Sequence, residues 1–153
     1  MSLTLRDAVH ADLATLAALY EASGLDPAGR NHAHAMEAAW ARLHNETPTA
    51  RVLVAERDGD PVGTLTCFVL PSLAHGGLPA AVVEAVAVHP KAQGQGVGRA
   101  LMAAAMELAR TAGCYKLALS SNEKRGPAHA FYERLGFDRH GVSFVATPEA
   151  VSA

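Results

Sequence analysis

The stretch "HPKAQGQGVGRALM", residues 89–102, carries three glycines at alternate positions, Gly94, Gly96 and Gly98. The residues before it, "AAVVEAVAV", have the pattern of a β-strand, and those after it have the pattern of an α-helix. The first amides of a helix have no acceptor within the helix, and the helix dipole places partial positive charge there. Glycines at such a site let the backbone come close to a ligand. The stretch therefore predicts a strand, an anion-binding loop and a helix, in that order.

The anion that suits this loop is a phosphate or a pyrophosphate, and Arg99 adds a full positive charge in the first turn of the helix. Two familiar phosphate-binding motifs do not fit. A P-loop needs Gly-Lys-Ser/Thr, but Arg99 stands at the required spacing from Gly94. A Rossmann loop needs a third glycine where Arg99 or Leu101 stands. A tight turn without any ligand remains an alternative at this point.

The composition predicts one globular domain. The chain has 153 residues, of which 50% are hydrophobic, and its formal net charge is -2. This balance argues against a general binder of nucleic acid or of membrane surfaces. Cys67 and Cys114 lie in apolar runs without metal-ligand spacing, so we expect reduced cysteines and no metal site. The first residues lack the apolar segment of a signal peptide, and we therefore expect a cytoplasmic protein.

The order of predicted elements indicates an α/β (α+β) fold with a central mixed, mostly antiparallel sheet and helices on both faces. The pattern predicts a strand, two helices, three strands, a helix, a strand, a helix and a last strand at "VSFVAT", residues 142–147. Asp12 is the expected cap of the first helix, and Asp58-Gly59 the expected turn of a hairpin. We expect a single domain over residues 1–153.

Several motifs together resemble the GNAT superfamily of N-acetyltransferases. "V-x-V-x-P" spans residues 86–90, "Q-x-x-G-x-G" spans 93–98, and "N-x5-A-x-x-F-Y-x-x-x-G-F" spans 122–137. The stretch "GCYK" at 113–116 and the Glu of "VVEAVAV" are similar to the branch with glucosamine-6-phosphate, aminoglycoside and aminoalkylphosphonate acetyltransferases.

The resemblance implies that the ligand is acetyl-CoA, with its pyrophosphate on the backbone amides of the glycine loop. Its pantetheine arm would pair with the preceding strand, and Asn122 would also contact that arm. Gln93 departs from the Arg that many members carry, and Arg99 partly compensates for the lost charge. The implied cofactor contacts are Val86, Ala87, Val88, Gln93, Gly94, Gln95, Gly96, Val97, Gly98, Arg99, Asn122, Ala128 and Phe131.

Two residues are candidates for proton transfer. Glu84 is the only charge in a strand that is otherwise apolar on both faces, and partial burial there would favour its action as a general base. The alternative for Glu84 is a structural ion pair with a nearby Arg or Lys. A bulge in the same strand would turn an amide of Val86 or Val88 toward the thioester carbonyl.

Tyr132 is the candidate general acid, because a phenol has an ordinary pKa of about 10 and stays protonated at neutral pH. The alternative is ordinary core packing, since Ala128, Phe131, Tyr132 and Leu135 share one helical face. Phe131 is interpreted as packing as well. Lys124 and Arg125 either meet a CoA phosphate or are merely solvated.

We therefore expect an acetyl-CoA-dependent N-acetyltransferase that acts by direct transfer on a primary amine of a small molecule. The acceptor would enter between the early helices and the loop "PSLAHGGLP", residues 71–79. The alternatives are an acyl-CoA sensor without catalysis and a transferase for proteins or peptides. The expected partners are acetyl-CoA, the amine and a second copy in a homodimer, with neither nucleic acid nor membrane.

Overall fold

The computed structural model describes residues 2–150. The chain divides into two compact units, one up to Leu119 and one from Ser120 onward. The first unit holds a five-stranded sheet and three helices. Its elements are β1 (Leu3–Asp7), α1 (Leu13–Ala22), α2 (Ala33–Glu46), β2 (Arg51–Arg57), β3 (Asp60–Leu70), β4 (Ala80–Val88), α3 (Val97–Thr111) and β5 (Lys116–Leu119).

The sheet is mixed and mostly antiparallel, as the sequence predicts. Its strands follow the order β1-β2-β3-β4-β5. The first four pair antiparallel, and β5 pairs parallel to β4 after the crossover through α3. The hairpin between β2 and β3 turns at Asp58 and Gly59, whose φ values are 52° and 91°. Two positive φ values are typical of a type I′ turn, which confirms the predicted hairpin.

Helices cover both faces of the sheet. Val54 of β2 packs against Leu16 and Leu19 of α1, with Met36 of α2 partly buried against the same cluster. The next residue, Ala55, points to the opposite face, because side chains alternate along a strand.

On that opposite face α3 lies directly over Gly63, the partner of Ala55 in β3. A Cβ at Gly63 would lie only 2.7 Å from Cγ1 of Val97 and 3.2 Å from Cδ1 of Leu101. Glycine at this position therefore lets α3 pack close to the sheet.

An ion pair ties the start of α1 to the sheet. The Asp12 carboxylate accepts hydrogen bonds from Nη1 and Nη2 of Arg6 at 2.7 and 2.9 Å, and from the Val9 amide at 2.7 Å. Arg6 also donates through Nε to Glu56 of β2 at 2.8 Å. Asp12 does occupy the N-cap position of α1, but its side chain makes no capping bond to the helix. Its carboxylate instead links the turn before α1 to Arg6 of β1, and Arg6 in turn links to Glu56 of β2.

Over residues 120–150 the second unit contains one α-helix, α4 (Gly126–Arg134), which begins with Pro127 in its first turn as expected. Gly136 follows the helix with a φ of 94°, which suits the end of a helix. The predicted last strand is wrong, because residues 142–147 form no strand in the structure. Val142, Phe144 and Val145 are exposed. Alternating apolar residues become a strand only when another strand supplies their backbone partners, and a local pattern does not provide them.

Replacing Asp12 with Asn should lower the free energy of unfolding at pH 7 by about 1–3 kcal/mol, because a buried charged hydrogen bond is lost. The Arg6 guanidinium holds the pKa of the Asp12 carboxyl below its usual value, despite the opposing effect of burial. The contribution of Asp12 is therefore fully present above about pH 4 and lost as pH falls through its lowered pKa.

Urea unfolding at pH 7 and at about pH 3 measures this. The difference in free energy of unfolding between the wild type and Asp12→Asn should be smaller in acid. Asp60→Asn, at an exposed position of the hairpin, is the matched control and should change little at either pH. An equal loss for Asp12→Asn at both pH values would contradict the ion-pair account.

Candidate functional site

A β-bulge interrupts β4 next to Glu84. Thr66 pairs with Glu84 and Thr64 pairs with Ala87, so two steps along β3 stand opposite three steps along β4. Ala85 has a φ of 52°, which is costly for a residue with a side chain. This confirms the bulge expected in the strand. A bulge of this kind re-aims the residues that follow it.

Beyond the bulge, β4 has one edge that β5 does not cover. The pairing of β4 with β5 ends at Val83 opposite Leu119. The amide of His89 donates to the carbonyl of Val62 at 2.8 Å, on the β3 side. Because amides alternate along a strand, the amide of Val88 points away from β3, toward the uncovered edge. An extended ligand could therefore pair with the backbone of Val86 and Val88 there.

The glycine loop leads from β4 into α3 through a short 3₁₀ turn, Pro90–Ala92. Gly94 and Gly96 have φ values of 73° and 84°, and Gly96 is the N-cap of α3. A Cβ at either glycine would meet no protein atom within 4 Å, so positive φ alone accounts for glycine at both positions. Gly98 differs, because it lies in the first turn of α3 without a positive φ.

The amides of this loop are available to an anion. No side chain caps α3, and among the described residues the amides of Gly94, Gly96 and Gly98 donate to no backbone acceptor outside regular helix and strand bonds. Glycine at position 98 costs helix stability relative to alanine, and the turn does not require it. Its lack of a side chain instead leaves room for close approach to the first amides. The residues therefore fit a phosphate or pyrophosphate group.

Hydrogen bonds from three side chains hold the loop in place. Gln93 donates through Nε2 to the carbonyl of Val88 at 3.3 Å, and Gln95 donates to the carbonyl of Lys91 at 2.7 Å. Arg57, at the end of β2, donates to the carbonyl of Gln95 at 3.0 Å and to its side-chain oxygen. Sequence reasoning missed Arg57, because its contact joins residues 38 positions apart.

The structure corrects the expected setting of Glu84. Glu84 is exposed, so the partial burial predicted for its carboxylate is wrong. An apolar run in the sequence does not reveal which part of a sheet face the helices leave open, so the burial of one side chain within it could not be predicted. Glu84 pairs with Thr66 in the ladder, so the two side chains share the face of the sheet that carries α1 and α2.

The other predicted site residues lie in the second unit. Tyr132 of α4 is half-buried and makes edge-to-face contacts with Phe131 and Phe137, at centroid distances of 5.2 and 5.9 Å. Burial raises the pKa of the Tyr132 phenol above its ordinary value, against a smaller lowering by the charge of Arg125. Its hydroxyl therefore stays protonated throughout the neutral range. Ala128 is also half-buried.

Asn122 serves as a turn residue before α4. Its Oδ1 accepts from the amide of Lys124 at 2.9 Å, and its carbonyl accepts from the amide of Arg125 at 3.0 Å. The side chains of Lys124 and Arg125 are exposed. The amide nitrogen of the Asn122 side chain is not engaged in the turn.

The described residues also bear on two other kinds of site, a metal site and a membrane span. Residues 2–150 contain no group of three or more His, Cys, Asp or Glu side chains arranged for a metal ion. No helix in the same part of the chain combines the length and hydrophobicity needed to cross a bilayer. Cys67 is a buried free thiol and Cys114 a partly exposed one.

Comparison with known proteins identifies relatives of the chain. The sequence profile described as the acetyltransferase (GNAT) family matches residues 15–137. The chain is 38% identical over 90 residues to a glucosamine 6-phosphate N-acetyltransferase of Trypanosoma brucei brucei, which covers 59% of each protein. It is 36% identical over 97 residues to an aminoalkylphosphonate N-acetyltransferase of Salmonella typhimurium, covering 63% of this chain and 62% of the relative. The chain thus spans about three fifths of these relatives' length.

A solved structure extends the likeness to nearly the whole chain. The crystal structure of an acetyltransferase from Trypanosoma brucei matches with a TM-score of 0.80 and 30% sequence identity. The match covers 95% of this chain and 99% of that protein.

Replacing Ala85 with Gly should leave the free energy of unfolding unchanged or raise it by up to about 1 kcal/mol. The substitution removes the strain of a positive φ, about 1–2 kcal/mol, and this offsets the usual cost of glycine in a strand. Ala80→Gly, in the same strand without a positive φ, should instead lose about 0.5–1 kcal/mol. Chemical unfolding of the three proteins checks this, and equal losses for both variants would contradict the strained bulge.

Proposed function

The chain belongs to the acetyltransferase (GNAT) family, and from this we propose that it is an acetyl-CoA-dependent N-acetyltransferase that acts on a primary amine of a small molecule. The observation that carries the proposal is the junction of the bulged strand β4 with α3. It combines unpartnered amides at a helix N-terminus with a free strand edge and a carboxylate one residue before the bulge. The acceptors named for the two curated relatives, both small amines, support the choice of a small acceptor.

The donor would supply an activated acetyl thioester. The amides of residues 94–99 would bind its pyrophosphate, and Arg99, an exposed cation in the first turn of α3, would add charge. The backbone of Val86 and Val88 would hold the extended arm along the uncovered edge of β4, with Ala87 between them. Gln93, Gln95 and Val97 would keep the loop in shape, because the two glutamines bond to backbone carbonyls and Val97 is buried.

Glu84 is the proposed general base. An amine must be neutral to attack a carbonyl carbon, and a carboxylate next to it can remove the proton directly or through water. The new carbon–nitrogen bond forms as the carbon–sulfur bond breaks, and the proton lost by nitrogen passes to Glu84. An amide of Val86 or Val88, turned by the bulge, would stabilise the negative charge that develops on the carbonyl oxygen.

Tyr132 is the proposed general acid for the departing thiolate. Its hydroxyl stays protonated at neutral pH because burial raises its pKa. This role rests on its place in the motif over residues 122–137 and on its protonation. Asn122, Ala128 and Phe131 are proposed cofactor contacts on the same motif. A structural role for Tyr132 in packing against Phe131 and Phe137 is the competing interpretation.

The proposal extends to the organisation of the whole chain. We propose that residues 1–153 act as one acetyltransferase domain, which is supported by a family profile that runs through both compact units. A homodimer and a cytoplasmic location remain predictions of the sequence. An acyl-CoA sensor without catalysis and a protein or peptide acetyltransferase remain the alternatives. Detection of free thiol from acetyl-CoA with small amines, and none with peptides, would separate all three.

Replacing Glu84 with Gln should lower kcat by about 100-fold or more, because general-base catalysis contributes roughly that much. The affinity for acetyl-CoA should not change, since the carboxylate takes no part in the proposed binding of the donor. Stopped or continuous thiol-release assays give kcat, and calorimetry gives the affinity. Glu107→Gln, at an exposed position of α3, is the matched control and should keep the full rate. Full activity of Glu84→Gln would return Glu84 to a structural role.

Replacing Tyr132 with Phe should lower kcat while leaving the melting temperature and acetyl-CoA affinity nearly unchanged. The ring and its aromatic contacts remain, and only the proton donor is lost, so the effect falls mainly on the transition state. Acyl donors with a poorer thiol leaving group should suffer more. Kinetics and thermal unfolding on one preparation check this. A lower melting temperature with kcat preserved would assign Tyr132 to packing.

A further inference from the structure

A cleft in the first unit lies between α1, α2 and the sheet. Its volume is about 170 Å³. Of the ten residues that line it, seven are apolar, including Leu16, Met36, Ala39, Trp40 and Leu43. The other three are Tyr20, Asn31 and Thr66, and none of the ten is charged. An apolar cavity of about 150 Å³ is large enough to bind benzene, so this cleft can take a group of that size.

The cleft lies beside the proposed general base. Thr66 lines the cleft from β3, and Glu84 stands directly opposite Thr66 in the sheet ladder. Directly opposed residues have Cβ atoms about 4.5–5.5 Å apart and point to the same face. An amine held at the Glu84 carboxylate would therefore place its substituent beside Thr66, at the part of the cleft that β3 lines. The exposed carboxylate supplies the charge that complements an ammonium group.

We propose that the cleft selects the acceptor, and that the preferred acceptor is a primary amine carrying one compact hydrophobic group about the size of a benzene ring. This inference rests on the proposed function, because it assigns the acceptor part of the same site. The amine is held at Glu84, and the hydrophobic group is buried among the side chains of α1 and α2. The acceptor lies among the early helices, as the sequence predicts, but the loop at 71–79 does not line this cleft.

The lining disfavours strongly polar acceptors. A phosphate or a second ammonium group entering the cleft would lose its hydration without meeting an opposite charge, which is costly. The three polar side chains of the lining offer neutral hydrogen bonds only, and Asn31 already donates to Asp26 at 3.0 Å. The acceptors named for the two curated relatives carry phosphate or phosphonate groups, so this chain should differ from them in specificity.

A substitution that fills the cleft and leaves Glu84 unchanged tests this proposal. Ala39 lines the cleft, and its neighbour Ala38 in α2 is exposed, which gives a matched pair of variants, Ala39→Leu and Ala38→Leu. The measured quantity is the ratio of kcat/KM for benzylamine to kcat/KM for ethylamine in a thiol-release assay. Ala39→Leu should lower this ratio about tenfold or more, because each methylene of a hydrophobic pocket is worth that order of discrimination. Ala38→Leu should keep the wild-type ratio.

A second measurement does not depend on turnover. Benzyl alcohol has the ring but no amine, so it probes the cleft alone. It should raise the melting temperature of the wild type and of Ala38→Leu but not that of Ala39→Leu, since a ligand of the folded state stabilises it. Met36→Ala, which widens the cleft, provides a further variant and should shift preference from benzylamine toward 1-naphthylmethylamine.

The outcomes separate the two proposals. One outcome would contradict the hydrophobic acceptor but support the acetyltransferase activity. In it, kcat/KM is higher for glucosamine 6-phosphate or spermidine than for benzylamine, and Ala39→Leu does not change the benzylamine-to-ethylamine ratio. An absence of thiol release with every amine, while benzyl alcohol still binds in the Ala39-dependent way, would contradict the proposed function and support the hydrophobic site. A higher melting temperature of Ala39→Leu with no effect on either probe would reduce the cleft to a packing gap and overturn the inference.

Discussion

The extra residue in β4 is the constraint on which the candidate site depends. The pairs on either side of the bulge are fixed by β3, so the chain must accommodate one additional residue between Glu84 and Ala87. Ala85 accepts a positive φ to do so. Before the bulge, Glu84 faces the side of α1 and α2. After it, the backbone of Val86 and Val88 runs along an edge that β5 does not cover. The bulge thus places the Glu84 carboxylate and the free backbone amides of Val86 and Val88 within a few residues of each other in β4.

The packing of α3 against the sheet fixes the position of the glycine loop that follows β4. Gly63 lets Val97 and Leu101 pack directly on the sheet, so the first turn of α3 is held against the end of β4. Arg57 then clamps Gln95 from the hairpin strand. The amides at the start of α3 are therefore positioned by buried contacts on one side and by a guanidinium on the other. Such prior positioning matters because a loop that had to order on binding would lose affinity to the cost of ordering.

Features set by local chemistry could be predicted from the sequence. The hairpin at Asp58-Gly59 and the helix that follows the glycine loop depend on neighbours in the chain, and both were found where expected. Features that depend on residues distant in the chain could not be predicted from the sequence. The carboxylate of Asp12 binds Arg6 instead of capping α1, and Arg57 reaches Gln95 across the sheet. Glu84 is exposed on the face that carries α1 and α2, and no pattern within β4 records how far the helices cover that face.

The function we propose depends above all on binding of the pyrophosphate of coenzyme A at the N-terminus of α3. A titration of ¹⁵N-labelled protein with coenzyme A, followed by amide NMR, tests it most directly because glycine amides give resolved signals. We expect the amide signals of Gly94, Gly96 and Gly98 to show the largest shifts, and the Val88 amide signal to move in the same titration. Binding of coenzyme A with these four amides unmoved, or no binding at all, would contradict it.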